Sequence, residues 1–309
     1  MRACKEGESN RFIQYGLYPL LFVAMLGYAF FEVNQPADKL GSYYGIYLTV
    51  LVMVMLAVET LHPLRNEWRM TKASFFRRDL PYMVVGGLTL VLVNYAAAWA
   101  IVHFGMPRSN AHADMPLVPA VLLVLLIPDF IWYWVHRLSH EGRGRLGQWL
   151  WSMHVAHHLP QQVYLLMHGV AHPLNTIIVR AIMTVPMFLL GFSAEALFVA
   201  NLVVGLQGFV SHFNVDIRAG WANYFLMGTE LHRYHHSADP NEAKNYGAVV
   251  TLWDQLFGTY FHRRGVVAQR LGVERPDEYP EDRELMRVLA LPFKWKHAGV
   301  QQAPLRQLK

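Results

Sequence analysis

Six stretches of the chain stay apolar for about as long as a helix needs to cross a bilayer, roughly 20 residues. They are 15–33, 43–60, 80–104, 115–135, 176–192 and 194–213, and polar residues collect between them. The fifth is short and carries Arg180 near its start. The fifth and sixth can therefore form a re-entrant hairpin in place of two full spans. The first lacks a small-residue cleavage site and is followed by further apolar stretches, so it reads as a membrane helix and not as a cleavable signal peptide. After about residue 260 the chain turns polar and charged. The pattern predicts an all-α integral membrane protein, with about four transmembrane helices plus a helical hairpin.

Basic residues in short connections mark the cytoplasmic side. Arg2, Lys5 and Arg11 precede the first apolar stretch, and Arg65, Arg69, Lys72, Arg77 and Arg78 lie between the second and third. The two alternate connections carry only Lys39 and Arg108. Both termini are expected inside, with everything after about His212 cytoplasmic. The net charge of +5 is modest and fits a membrane flank. No basic face interleaved with aromatics suggests nucleic acid. The single cysteine, Cys4, excludes an internal disulfide framework, a cysteine zinc module and an iron–sulfur cluster within the chain.

Eight histidines fall into three clusters: His136-Arg-Leu-Ser-His140, His154-Val-Ala-His157-His158 and His232-Arg-Tyr-His235-His236. With 16 His in 309 residues, chance supplies roughly 0.04 copies of His-x-x-His-His, so two copies demand a reason. Helical residues three and four apart share a face, so each cluster aims its imidazoles one way. The charge-based topology, drawn without the histidines, puts all three clusters on the cytoplasmic side. His212, at the inner end of the sixth stretch, and His172 are candidate ninth and tenth members. That is too many ligands for one metal and suits two. Nitrogen donors without cysteine fit iron, with zinc and copper open. Two irons together can activate O2 and take hydrogen from an unactivated C–H bond, which lipids supply.

Ligating imidazoles usually give their other N–H to a carboxylate or carbonyl. Asp129 lies seven residues before His136, two turns away on the same helix face, where a membrane acid is costly. Asp254 is a second such candidate. Other constellations are weaker. Glu59-x-x-His62 is half of a carboxylate di-iron motif that must occur twice, and it reads as a pair at a helix end. His103, His112, His262 and His297 stand alone and read as surface or interface residues. A membrane metal transporter or a b-type haem electron-transfer protein is the alternative. The clusters at span ends argue against both, because a transporter places its ligands at mid-membrane.

The runs Asp129-Phe-Ile-Trp-Tyr-Trp-Val-His136-Arg-Leu-Ser-His140, Trp151-Ser-Met-His154-Val-Ala-His157-His158 and Glu230-Leu-His232-Arg-Tyr-His235-His236 resemble the fatty acid hydroxylase / sterol desaturase superfamily. The tail from Asn245-Tyr246-Gly247 through Trp253-Asp254-Gln-Leu-Phe257-Gly258-Thr259-Tyr260 is similar too, and the resemblance covers about 80–261. It implies a membrane-bound non-haem di-iron oxygenase whose helical cytoplasmic cap holds a dinuclear histidine site. The eight clustered histidines match its ligands. His212 matches a histidine ending the last membrane helix, and His172 matches a His-Pro step after the second box. Tyr164 and Val170 replace an asparagine and an arginine often found there, which bears on the substrate. His168 has no counterpart, and Gly208 stands where some relatives carry a further histidine.

The activity implied is hydroxylation or desaturation of a lipid such as a fatty acyl chain, sterol, alkylglycerol or ornithine lipid. O2 is the co-substrate. Electrons come from an external protein, either cytochrome b5 with its reductase or a ferredoxin, since no fused cytochrome b5 module is visible. The expected organisation is N-terminal membrane helices and basic loop over 1–114, a catalytic region over 115–261 and a polar tail over 262–309. The expected setting is a bacterial inner membrane or the endoplasmic reticulum.

Overall fold

The computed structural model describes residues 10–105 and 109–294. Arg2, Cys4, Lys5, Arg108 and His297 lie outside the described residues. Lipid offers no hydrogen bonds, so each apolar stretch must satisfy its backbone internally, and each closes into a helix. These are α1 (Leu17–Val33), α2 (Tyr44–Leu61), α3 (Leu80–His103) and α4 (Leu117–Glu141), then, after the short α5 (Gly144–His158), α6 (Pro173–Leu190) and α7 (Ala194–Ser211). Among the described residues six helices are long and apolar enough to cross a membrane. Among the described residues there is no β-strand, only isolated bridges. Helix ends carry the chemistry they need. Pro173 opens α6, Ser193 accepts the Ala196 N–H at the start of α7, and Gly142 and Gly191 close α4 and α6 with φ of 58° and 69°. In that left-handed conformation glycine meets no Cβ clash.

α4 is the axis of the bundle. It packs on α5, α6 and α7, α1 rests on α7, and α3 joins through α6. Arg180 of α6 donates from Nε to Asn94 Oδ1 of α3 at 3.0 Å, which ties together two helices with few buried side chains. Val91, Leu92 and Val102 of α3 face outward, as a lipid-facing helix requires. Met25, Met55, Leu125, Val203 and Leu206 fill the shared core.

The α6–α7 hairpin reaches as far as the connection that precedes α4. Its tip residue Phe192 bridges His112, whose Nδ1 meets Leu190 O at 2.7 Å. A Cβ on Gly191 would lie 1.9 Å from Ser109 O, so only glycine allows that approach. The hairpin tip thus lies level with the connection that precedes α4.

At the opposite end Gly142 reverses the chain into α5. A Cβ on Gly147 would sit 2.9 Å from both Leu138 O and the Gly142 carbonyl carbon. Backbone cannot yield as a side chain can, so Gly147→Ala pushes α5 off α4. The expected cost is about 1–3 kcal/mol, read as a lower unfolding midpoint in detergent, with weakened metal binding because His140 and His154 flank this turn.

Buried polar side chains fasten the loops at this end. Glu59 accepts the N–H groups of Leu165 and Asn214 at 2.9 and 2.8 Å. It is a backbone clamp near the end of α2. Arg233 donates to Phe213 O and Val215 O. Arg78, Asp79, Tyr164 and Asp282 form one buried network that draws the C-terminal segment onto the bundle.

Candidate metal centre

α4 has 25 residues and is about 37 Å long, against roughly 30 Å of hydrocarbon. Its last turns project past the span and carry His136 and His140. α5 returns beneath them with His154, His157 and His158. The short helix α8 (Thr229–His235) brings His232, His235 and His236, and His212 caps α7.

Nine imidazoles converge in two sets. His136, His140, His154, His158 and His235 form one, and His157, His212, His232 and His236 form the other. Within each, one ring nitrogen per residue lies within 4.8 Å of all the others. The sets adjoin, with the His158 and His236 rings stacked at 4.4 Å. Two sequence clusters are therefore split. The cause is helix geometry: i and i+4 differ by about 40° around the axis, whereas i+3 falls about 60° to the other side. His154 and His158 point one way and His157 the other; His232 and His236 pair, and His235 crosses over.

The donors fit a cation. His136, His157 and His235 place Nδ1 against the carbonyls of Tyr246, Val170 and Lys244 at 2.7, 2.9 and 3.0 Å. His212 Nδ1 faces Gly208 O at 3.0 Å, and Ser211 gives its own proton to that carbonyl. A carbonyl only accepts, so Nδ1 carries the proton in each ring and Nε2 presents a lone pair. The Nε2 atoms of His157 and His212 nevertheless face each other at 3.0 Å. Two lone pairs at that distance repel unless a positive ion lies between them and the rest of the set. Other Nε2 pairs are equally close: His136–His154 at 2.9 Å, His154–His158 at 3.1 Å, His212–His232 at 3.0 Å and His232–His236 at 3.1 Å. Nitrogens bound at about 2.1 Å from one ion lie roughly 3.0–3.4 Å apart. His140 Nε2 and His235 Nε2 are buried with no partner among the described residues.

Electrostatics favour the same state. Burial first, then neighbouring imidazoles, hold His154, His158, His212, His232, His235 and His236 well below the ordinary histidine value. Burial pushes His157 down to about 4. The rings are neutral at physiological pH, which is the metal-binding form.

The carboxylates act one layer further out than expected. Asp129 reaches no histidine; its Oδ1 accepts the Ala248 and Val249 N–H groups at 3.0 and 2.8 Å. Asp254 accepts the N–H groups of Tyr246 and Gly247 at 2.7 and 2.9 Å and the Thr259 hydroxyl at 2.6 Å. Burial raises the Asp254 carboxyl, and these three donors draw it back. The two acids grip the 246–249 loop, and its Tyr246 carbonyl holds His136. Asn245, with φ of 61°, anchors the same loop through Leu231 O and Phe261 O. The carbonyls of Lys244 and Tyr246 were invisible in sequence, because any residue carries one. The Asn-Tyr-Gly run was the available signal.

His172 corrects the sequence reading. It belongs to neither set. Its Nδ1 accepts the Leu174 N–H at 3.0 Å and caps α6, while Nε2 lies 3.2 Å from Leu289 O. With both nitrogens engaged it has none to give a metal. His168 lies beside His212, with ring centroids 4.8 Å apart. Away from the site, His103 stacks on Trp99 and His262 Nε2 lies 3.6 Å from Glu230.

The family model for fatty acid hydroxylase matches residues 121–259. Ornithine lipid hydroxylase OlsE of Rhizobium tropici is 28% identical over 79% of this chain and 74% of its own length. A provisionally named methylsterol monooxygenase of Dictyostelium discoideum is 31% identical over 70% of this chain and 79% of its own. Alkylglycerol monooxygenase of Danio rerio is 24% identical over 74% of this chain and 48% of its own. No solved structure matches.

Proposed function

The chain belongs to the fatty acid hydroxylase / sterol desaturase superfamily, and from that premise we propose that it is an O2-dependent oxidoreductase of the membrane whose nine clustered histidines hold two iron ions. The observation that carries this reading is the pair of all-imidazole sets whose lone pairs converge at one end of the helix bundle. Iron bound there supplies, with O2 and electrons, the removal of hydrogen from a lipid C–H bond and the addition of oxygen.

The chain's own part is placement. Backbone carbonyls fix the proton at Nδ1 and so aim Nε2 inward. Trp132, stacked 4.9 Å from His136, holds that ring at the membrane end of the site. The five-donor set is fully buried, whereas His157 of the other set is half open. That favours approach of a lipid chain on the His157 side. The Nε2 atoms pair at 2.9–3.0 Å, closer than two ligands on opposite faces of a haem, and the donors gather at helix ends, away from mid-span. Both points weigh against a b-type haem protein and a transporter.

Finer assignments follow the same line. The substrate class is a lipid, with ornithine lipids a first choice through the Rhizobium relative. The histidine end, both termini and the 262–309 tail are assigned to the cytoplasm, because Arg65, Arg69, Lys72, Arg77 and Arg78 lie at that end and basic residues stay inside. Residues 1–114 serve as membrane scaffold and 115–261 as catalytic region. The exposed Arg69, Lys72 and Arg77 of that rim suit an acidic electron donor such as cytochrome b5 or a ferredoxin. The test is a purified protein reconstituted with Fe(II), ornithine lipid, O2 and a reductase couple. About two irons per chain, reductant-dependent O2 uptake and a product one oxygen heavier, or two hydrogens lighter, are expected. Protein that binds no iron would sink the reading.

A further inference from the structure

The two nitrogen sets are unequal: five donors against four. A further histidine stands beside the poorer set. His168 lies on the single turn Leu165–Gly169 between α5 and α6, and its ring centroid is 4.8 Å from that of His212. The carbonyl just after this turn, Val170 O, is the one that holds His157 Nδ1, so the turn is tied to the same four-donor set. Across from the ring, on α7, is Gly208. A Cβ there would lie 2.9 Å from both Cε1 and Nε2 of His168. The imidazole therefore fills the space a side chain at 208 would take, one helical turn before His212. Among the described residues its side chain has no hydrogen-bond partner, and it is exposed on the half-open side of the site.

We propose that His168 is the fifth nitrogen donor of the second metal position, reaching it through the gap that Gly208 leaves beside His212. The inference rests on the metal reading above. The ring stands beside His212, just outside the four-donor set. A partnerless imidazole on a short turn gives up no hydrogen bond when it rotates inward, and a cation rewards it with a coordinate bond. The neighbouring candidates are already committed: His172 to the α6 cap and Leu289 O, and Glu59 to two backbone N–H groups. Outside the two sets, His168 is the site-side imidazole among the described residues with no hydrogen bond at either nitrogen. The expected result is a site with five nitrogens on each ion, the extra one supplied by a loop in place of a helix.

The experiment loads the full-length protein with Fe(II) and reads iron per chain, the rate of iron loss to a chelator, and the nitrogen count by X-ray absorption. His168→Ala should lose one of the two irons at least about tenfold faster, with a lower mean nitrogen count and unchanged helicity. Gly208→Ala should act alike, since the new methyl group drives the ring away. The double variant His168→Ala, Gly208→His returns an imidazole from α7 to the same volume and should restore retention. Wild-type retention and nitrogen count in both single variants would overturn the proposal. Iron-free wild-type protein would instead remove the functional reading beneath it, and the proposal with it.

Discussion

His235→Ala should abolish lipid oxidation and strip the centre of iron, while leaving the membrane helices inserted. The His235 ring lies 4.5 Å from that of His136, 4.6 Å from His140 and 4.8 Å from His158. Its Nε2 is buried without a partner and its Nδ1 is held by Lys244 O. Truncation removes a ligand from the middle of the five-donor set and also the hydrogen bond between that ring and the Lys244 carbonyl. Changing a group that merely orients a ligand typically costs 10–100-fold in affinity or activity, so losing the ligand itself should cost more than about 100-fold. Iron analysis and product mass spectrometry on protein solubilised from membranes read the two effects. Because α8 lies outside the spans, membrane extraction yield should match wild type. Full iron content and full turnover in this variant would end the assignment of the centre.

Asp254→Ala carries the second large effect, and it acts at a distance from the metal. The carboxylate accepts two backbone N–H groups and one hydroxyl, all buried. Each buried donor left unsatisfied costs about 1–3 kcal/mol, so a total on the order of 3–5 kcal/mol is expected. The 246–249 loop then keeps its Asp129 and Asn245 side-chain bonds and the backbone bond from Met227 N–H to Val249 O. Its Tyr246 carbonyl drifts from His136 Nδ1, and iron affinity falls about 10–100-fold. The conservative Asp254→Asn keeps the shape but turns one acceptor into a donor, so it should fall between the two. Unfolding midpoint and iron affinity should move together across the series. A variant that lost stability but kept iron affinity would separate the loop from the ligand it is said to hold.

The apolar stretches were readable because lipid leaves a backbone few choices. Each of the six closes into a helix close to its predicted ends, except that α4 runs on past residue 135 to Glu141. The hairpin was ambiguous in sequence because 18 residues suit either a shallow or a full helix. What its tip packs against became visible only where Phe192 meets His112 and Gly191 admits Ser109 O. The histidine boxes announced a centre by composition and spacing. Which imidazole joins which set was not legible, since it depends on how α4, α5, α8 and the end of α7 are turned relative to one another. His172 misled for a related reason: a His-Pro step at the right distance is also a helix cap, and its partner Leu289 lies 117 residues away. Each acid takes two N–H groups of the loop, and Asp254 adds the Thr259 hydroxyl. Only the folded loop brings the Tyr246, Gly247 and Thr259 donors onto it.

By itself, then, the order of residues determined a helical membrane protein with its imidazoles gathered at one end, because hydrophobic length and i, i+4 spacing are local properties. Tertiary structure alone decided the division into five and four donors, the carbonyls that orient them, and the opening beside Gly208. Those depend on distances between segments far apart in the chain, and such distances are set by packing.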